Sequence, residues 1–158
     1  MTAHGPGLVQ PGATPLDVMM AALGVRETSP NRGPWIDTCL RFVGLDPEQG
    51  SWPWCAASLV WSAHRAGTEL LRTASVKRLW EASQARRLEG PEPGCAFVHL
   101  KPDGKGHCGF VLRELAGTGR ILTVSGNTNA EGSREGDRVG LHEKPYAYFT
   151  GFFHVRPE

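Results

Sequence analysis

Residues 91–112 read PEPGCAFVHLKPDGKGHCGFVL, and the chain changes texture there. Before Pro91, apolar residues recur at helical spacing. From Pro91 onward, short runs rich in β-branched and aromatic residues alternate with Gly-containing turns. CAFVHL (95–100), HCGFVLREL (107–115), RILTVSGN (120–127) and AYFTGFFHVR (147–156) read as strands, with KPDGKG and AGTG as turns between them. Helices followed by a meandering antiparallel sheet give an α+β class.

Working back from Pro91, four helices are expected. Thr14 is placed as an N-cap before Pro15 and Asp17, for a helix running to about Leu23 and stopping at Gly24. Pro34 opens a second apolar pattern, through Trp35, Ile36, Leu40, Phe42 and Val43, that closes at Gly44. Pro53 suits the first turn of a third helix through AASLVWSAHRA (56–66), which ends at Gly67. Ser75 caps the fourth, VKRLWEASQARRL (76–88), whose basic face reads as solvated.

The 158 residues fit one domain, expected over 14–158 after a loose Gly/Pro-rich arm at 1–13. With 40% hydrophobic and 21% charged residues the composition is that of a globular protein, which excludes long disorder. The net charge of +1 gives no field to hold DNA, RNA or an anionic bilayer, so no nucleic-acid partner is expected. No apolar run approaches the roughly 18–20 residues of a membrane span, so no membrane insertion is expected. MTAHGPGLVQPG lacks the basic start and apolar stretch of a secretory signal, which predicts synthesis in the cytoplasm with reduced cysteines. The zinc spacings CxxC, HExxH and HxxxH do not occur, and neither a metal nor a cofactor is expected.

SWPWCAAS (51–58) sets Cys55 in the first turn of the third helix. There, free backbone N–H groups and the positive end of the macrodipole favour the thiolate. A thiolate nucleophile needs an imidazole within reach. His107 sits between Gly106 and Gly109 at the mouth of a strand, where the glycines are expected to leave room for a substrate backbone. The ring in turn needs an acceptor, and VSGNTN (124–129) supplies Asn127, with Asn129 as the competing choice. Trp52 and Trp54 are candidates for the wall of a substrate groove, or for the core.

The ordered set PWCAASLVW, PGCAFVHL, GHCGFVL and SGN resembles the CHAP-type cysteine amidohydrolases and peptidases of the papain-like NlpC/P60 group, small bacterial and phage cell-wall hydrolases, over about residues 15–155. The resemblance implies a papain-like fold, with Cys55 as nucleophile, His107 as general base and then acid, and Asn127 orienting the imidazole. It also implies a monomer that cleaves an amide of bacterial peptidoglycan after release or delivery to the wall, as a phage endolysin or an antibacterial lysin does. Two positions depart from the pattern. Ser125 stands where many members carry Glu, and Cys95 where many carry Asp. A binding module without catalysis, and an acyltransferase or protein deamidase on the same scaffold, are the alternatives.

Overall fold

The computed structural model describes residues 12–128 and 136–157. Its helices are α1 (Pro15–Ala21), α2 (Pro34–Phe42), α3 (Cys55–Arg65) and α4 (Val76–Ala82), and its strands are β1 (Arg87–Leu88), β2 (Ala96–Leu100), β3 (Gly106–Leu115), β4 (Arg120–Thr128), β5 (Arg138–Pro145) and β6 (Gly151–Phe153). All pairings are antiparallel, in the order β1-β6-β2-β3-β4-β5, which makes the class α+β. Strands β2 to β5 form the expected meander, and β6 returns to insert between β1 and β2.

The helix starts follow their capping residues. Thr14 and Asp17 close a reciprocal capping box on α1, satisfying two N–H groups that the helix leaves open. Arg32 holds Asp37 through two 3.0 Å bonds, and Asp37 accepts the Gly33 N–H at the start of α2. Ser75 Oγ accepts the Arg78 N–H on α4.

Three sequence expectations differ from the structure. The fourth helix ends at Ala82, because the chain turns through Gln84–Arg86 to pair Arg87 and Leu88 with β6, while the Arg87 guanidinium stacks on Trp80 at 3.8 Å. Hydrophobic runs pass over β5, which buries only Val139 and otherwise alternates between exposed and half-buried residues at one end of the sheet. The final run AYFTGFFHVR contributes only Gly151–Phe153 as strand, after a single turn at Tyr146–Tyr148.

Side chains alternate across the sheet and divide the core in two. Ala96, Val98, Cys108, Phe110, Val124 and Phe153 pack with the helices, while Phe97, Val111, Ile121 and Phe152 face the other side, beneath Leu88, Tyr148 and Phe149. Helix α3 is buried from Cys55 through Ala63, as expected of a helix apolar on every face. Its start is fixed by aromatic packing, with Trp35 edge-on to Trp54 at 6.3 Å and to Trp61 at 5.7 Å. A close approach to β4 completes the anchoring. A Cβ on Gly126 would lie 2.6 Å from both Ser58 Oγ and the Trp54 ring, so only glycine lets the two elements meet there.

Candidate active site

Cys55 is the first residue of α3, where the opening N–H groups have no partner inside the helix. It is 2% exposed, and His107 at the start of β3 is 4% exposed. The Cys55 thiol titrates well below its usual range. A hydrogen bond from the Cys108 side chain is the largest cause and outweighs the opposing effect of burial, with nearby His107 and the Cys108 backbone N–H adding to it. Cys108 moves the other way, pushed up by burial and by the charge it faces on Cys55. The two sulfurs therefore divide their roles: Cys55 carries the charge and Cys108 keeps its proton and donates it.

His107 Nε2 lies 2.8 Å from Ser125 Oγ on the neighbouring strand β4. Nδ1 is buried and closes no hydrogen bond, which leaves it as the nitrogen available to Cys55. Nε2 is occupied by the Ser125 hydroxyl, which fixes the ring's orientation relative to Cys55. Gly109 makes this possible, since a Cβ there would come within 2.5 Å of Ser125 Cβ and the Val124 carbonyl.

Asn127 comes to the site in a different place from the one expected. The residue that meets the imidazole is Ser125, while Asn127 Oδ1 accepts the Trp54 backbone N–H at 3.4 Å. The cause is a break in the β4–β5 register between Ser125 and Thr128, where Asn127 adopts φ 59°, a left-handed conformation that Asn tolerates better than most residues. Its Nδ2 is buried without a partner, an unused donor beside the start of α3. Asn129 lies outside the described residues.

The tryptophans separate. Trp54 is fully buried, its indole N–H donating to Glu27 Oε2 at 2.9 Å, so it is a core residue and not a groove wall. Trp52 is half-buried and lines a cavity with Pro53, Arg72 and Arg78. The glycines beside His107 do not make room for a substrate either. A Cβ on Gly106 would strike the His99 carbonyl at 2.5 Å, so that space is taken by the protein's own strands.

Tyr148 is a neighbour that sequence spacing gave no reason to choose. Burial pushes its hydroxyl up in pKa, and the charge at Cys55 pushes it further, which places the phenol within electrostatic reach of that sulfur. His99 stacks on the Tyr148 ring at 3.9 Å and bonds the Tyr148 carbonyl through Nδ1 at 2.6 Å. The other cysteines stand apart from this chemistry: burial raises Cys39 well above the usual range and Cys95 to about 11. Ser125 was visible in the sequence only as the departure two positions before Asn127, and Cys108 only as the neighbour of His107.

Among the described residues, no group of three or more His, Cys, Asp or Glu is placed to hold a metal ion, and no helix is long and apolar enough to cross a membrane. Comparison of the chain with protein-family models, with curated proteins and with solved structures found no match.

Proposed function

We propose that the protein is a cysteine-dependent hydrolase that cleaves an amide bond of bacterial peptidoglycan, in the manner of a small phage endolysin or antibacterial lysin with a papain-like catalytic unit. The observation that carries the chemistry is the acidified Cys55 thiol at the start of α3 beside an imidazole held by Ser125. The wall substrate rests on the sequence resemblance.

The Cys55 thiolate attacks the amide carbonyl carbon, and the carbonyl electron pair moves to oxygen. The opening N–H groups of α3 and the unpartnered Asn127 Nδ2 are the donors for that oxyanion. As the carbonyl re-forms, the C–N bond breaks and the His107 imidazolium gives its proton to the leaving amine. A thioester remains. His107, now neutral, takes a proton from water, whose oxygen attacks the thioester carbon. Collapse releases the carboxylic acid and restores the thiolate. Ser125 keeps the ring oriented throughout, a role that a neutral hydroxyl fills without the charge of the usual carboxylate.

Turbidity loss of purified peptidoglycan, with mass analysis of the soluble fragments, tests this reading. Wild type is expected to clear the walls and expose new termini that identify the bond, while Cys55→Ser and His107→Ala remain folded and inactive. Ser125→Ala leaves a buried N–H unpaired, at a cost of about 1–3 kcal/mol, and is expected to lower kcat by about tenfold or more with KM little changed. Lysis by Cys55→Ser at the wild-type rate overturns the assignment. Folded wild type that leaves walls intact turns the reading to a binding module or to transfer onto another acceptor.

A further inference from the structure

All four cysteines are free thiols, and two of them meet. Cys55 opens α3, Cys108 lies on β3, and that helix packs on that strand. Strand alternation decides which way Cys108 points: Ala96, Val98 and Phe110 share its face and pack with the helices, so its sulfur is turned to the start of α3. The Cys108 side chain bonds the Cys55 sulfur, and the Cys108 backbone N–H reaches the same atom. From hydrogen-bond contact, two sulfurs need only a short approach to the ~2.05 Å of a disulfide. The remaining thiols lie elsewhere. Cys95 faces the opposite side of the sheet, with Phe97, Val111 and Phe152, and Cys39 belongs to α2.

The two sulfurs also differ in reach. Cys55 is 2% exposed and Cys108 0%, so a small oxidant arriving from solvent meets Cys55 first. The form of a thiol that attacks a peroxide is the thiolate, which is the form Cys55 holds. Cys108 is enclosed, and the reactive partner it touches is Cys55.

We propose that Cys55 and Cys108 form a reversible redox pair, in which a hydroperoxide oxidises Cys55 and the adjoining Cys108 closes a disulfide onto it. The Cys55 thiolate attacks the O–O bond of hydrogen peroxide: an S–O bond forms, hydroxide leaves, and the sulfur gives two electrons to the peroxide. The Cys108 thiol passes its proton to that hydroxide, which becomes water. Its sulfur then attacks the Cys55 sulfenic sulfur, the S–S bond forms, and the S–O bond breaks to release a second hydroxide. Converting the thiolate to a neutral sulfenic acid removes the negative charge that holds the Cys108 proton, which eases the second step. A small dithiol reverses the bridge by exchange and becomes a disulfide itself. The bridge keeps Cys55 from going on to the irreversible sulfinic acid. It also withdraws the nucleophile of the proposed hydrolase, yet it depends only on the contact of the two sulfurs and not on amide cleavage.

The test reads the bridge directly. Wild-type protein is treated with hydrogen peroxide, denatured, blocked with N-ethylmaleimide and digested without reductant. Peptide mass analysis is expected to find the Cys55 and Cys108 peptides joined, lighter than their sum by a pair of hydrogens, with Cys39 and Cys95 blocked. Dithiothreitol before blocking is expected to return all four thiols. In Cys108→Ser the same treatment is expected to carry Cys55 on to the sulfinic acid, with recovery by dithiothreitol about tenfold lower than in wild type. The joined peptide is read in wild type, so the result stands whether or not the variant folds. Sulfinic acid at Cys55 of wild type without the joined peptide, a joined peptide built on another pair, or four unmodified thiols after peroxide overturns the pair. Wall lysis separates it from the hydrolase. A joined peptide in a protein that never clears walls keeps the pair and removes the hydrolase, and clearance lost irreversibly to peroxide with no joined peptide does the reverse.

Discussion

Cys55 and Cys108 are both buried cysteines in the same core, yet they titrate in opposite directions. Burial alone raises a thiol, as it does for Cys39, so the difference comes from what each sulfur faces. Cys55 receives a donated S–H, an imidazole and a backbone N–H; Cys108 receives only burial and its neighbour's negative charge. Because the Cys55 pKa is lowered, its thiolate persists at pH values below the usual thiol range and is lost only as pH falls through the lowered value. Iodoacetamide alkylation read by peptide mass analysis is expected to modify Cys55 well before Cys39 or Cys95 at neutral pH. Cys108→Ala removes the largest favourable contribution and is expected to move the acid limb of the Cys55 alkylation profile to higher pH. An unmoved limb would show that Cys108 only fills space. The sequence made Cys55 and His107 legible through helix-start and strand-mouth chemistry, whereas Cys108 reads as core in any sequence because its partner is 53 positions away.

At the scale of elements, the site depends on how closely α3 meets β4. Trp54 and Ser58 on the helix fill the space that a side chain at Gly126 would occupy, and Gly109 performs the same service between β3 and β4. Gly126→Ala forces its methyl against the Trp54 ring and is expected to destabilise the fold by about 1–3 kcal/mol, measured as a lowered urea midpoint. The same change is expected to alter the alkylation rate of Cys55, since Trp54 is the residue before it. A variant with wild-type stability and reactivity would contradict this packing account. Capping and proline signals located α1, α2 and the start of α4, because those rules act over three or four residues. The end of α4 was not legible: a helix-compatible sequence gives way where β6 offers Arg87 and Leu88 a strand partner.

Across the whole molecule, protection is graded from α3 outward. The helix is enclosed by α1, α2 and the sheet, and β5 is paired with β4 on one side and with the segment Gly24–Glu27 on the other. Those short bonds, such as Val139 N–H to the Val25 carbonyl at 2.9 Å, cover the strand edge at buried Val139, while from Gly140 onward β5 alternates between half-buried and exposed residues. Hydrogen exchange is expected to be slowest for amides of Leu59–Ala63 and faster by orders of magnitude across Leu141–Pro145. Comparable protection of both segments would refute that order.

The sequence by itself determined the α+β order, the starts of α1, α2 and α4, three of the sheet's strands, and the setting of Cys55 at a helix start and His107 at a strand start, because capping, turn chemistry and hydrophobic alternation are local. Tertiary structure alone decided that Ser125 and not Asn127 meets the imidazole, that Trp54 is core while Trp52 lines a cavity, and that β5 and β1 exist. Each of those outcomes depends on a partner distant in sequence or on a register break, and neither is encoded in the spacing of neighbouring residues.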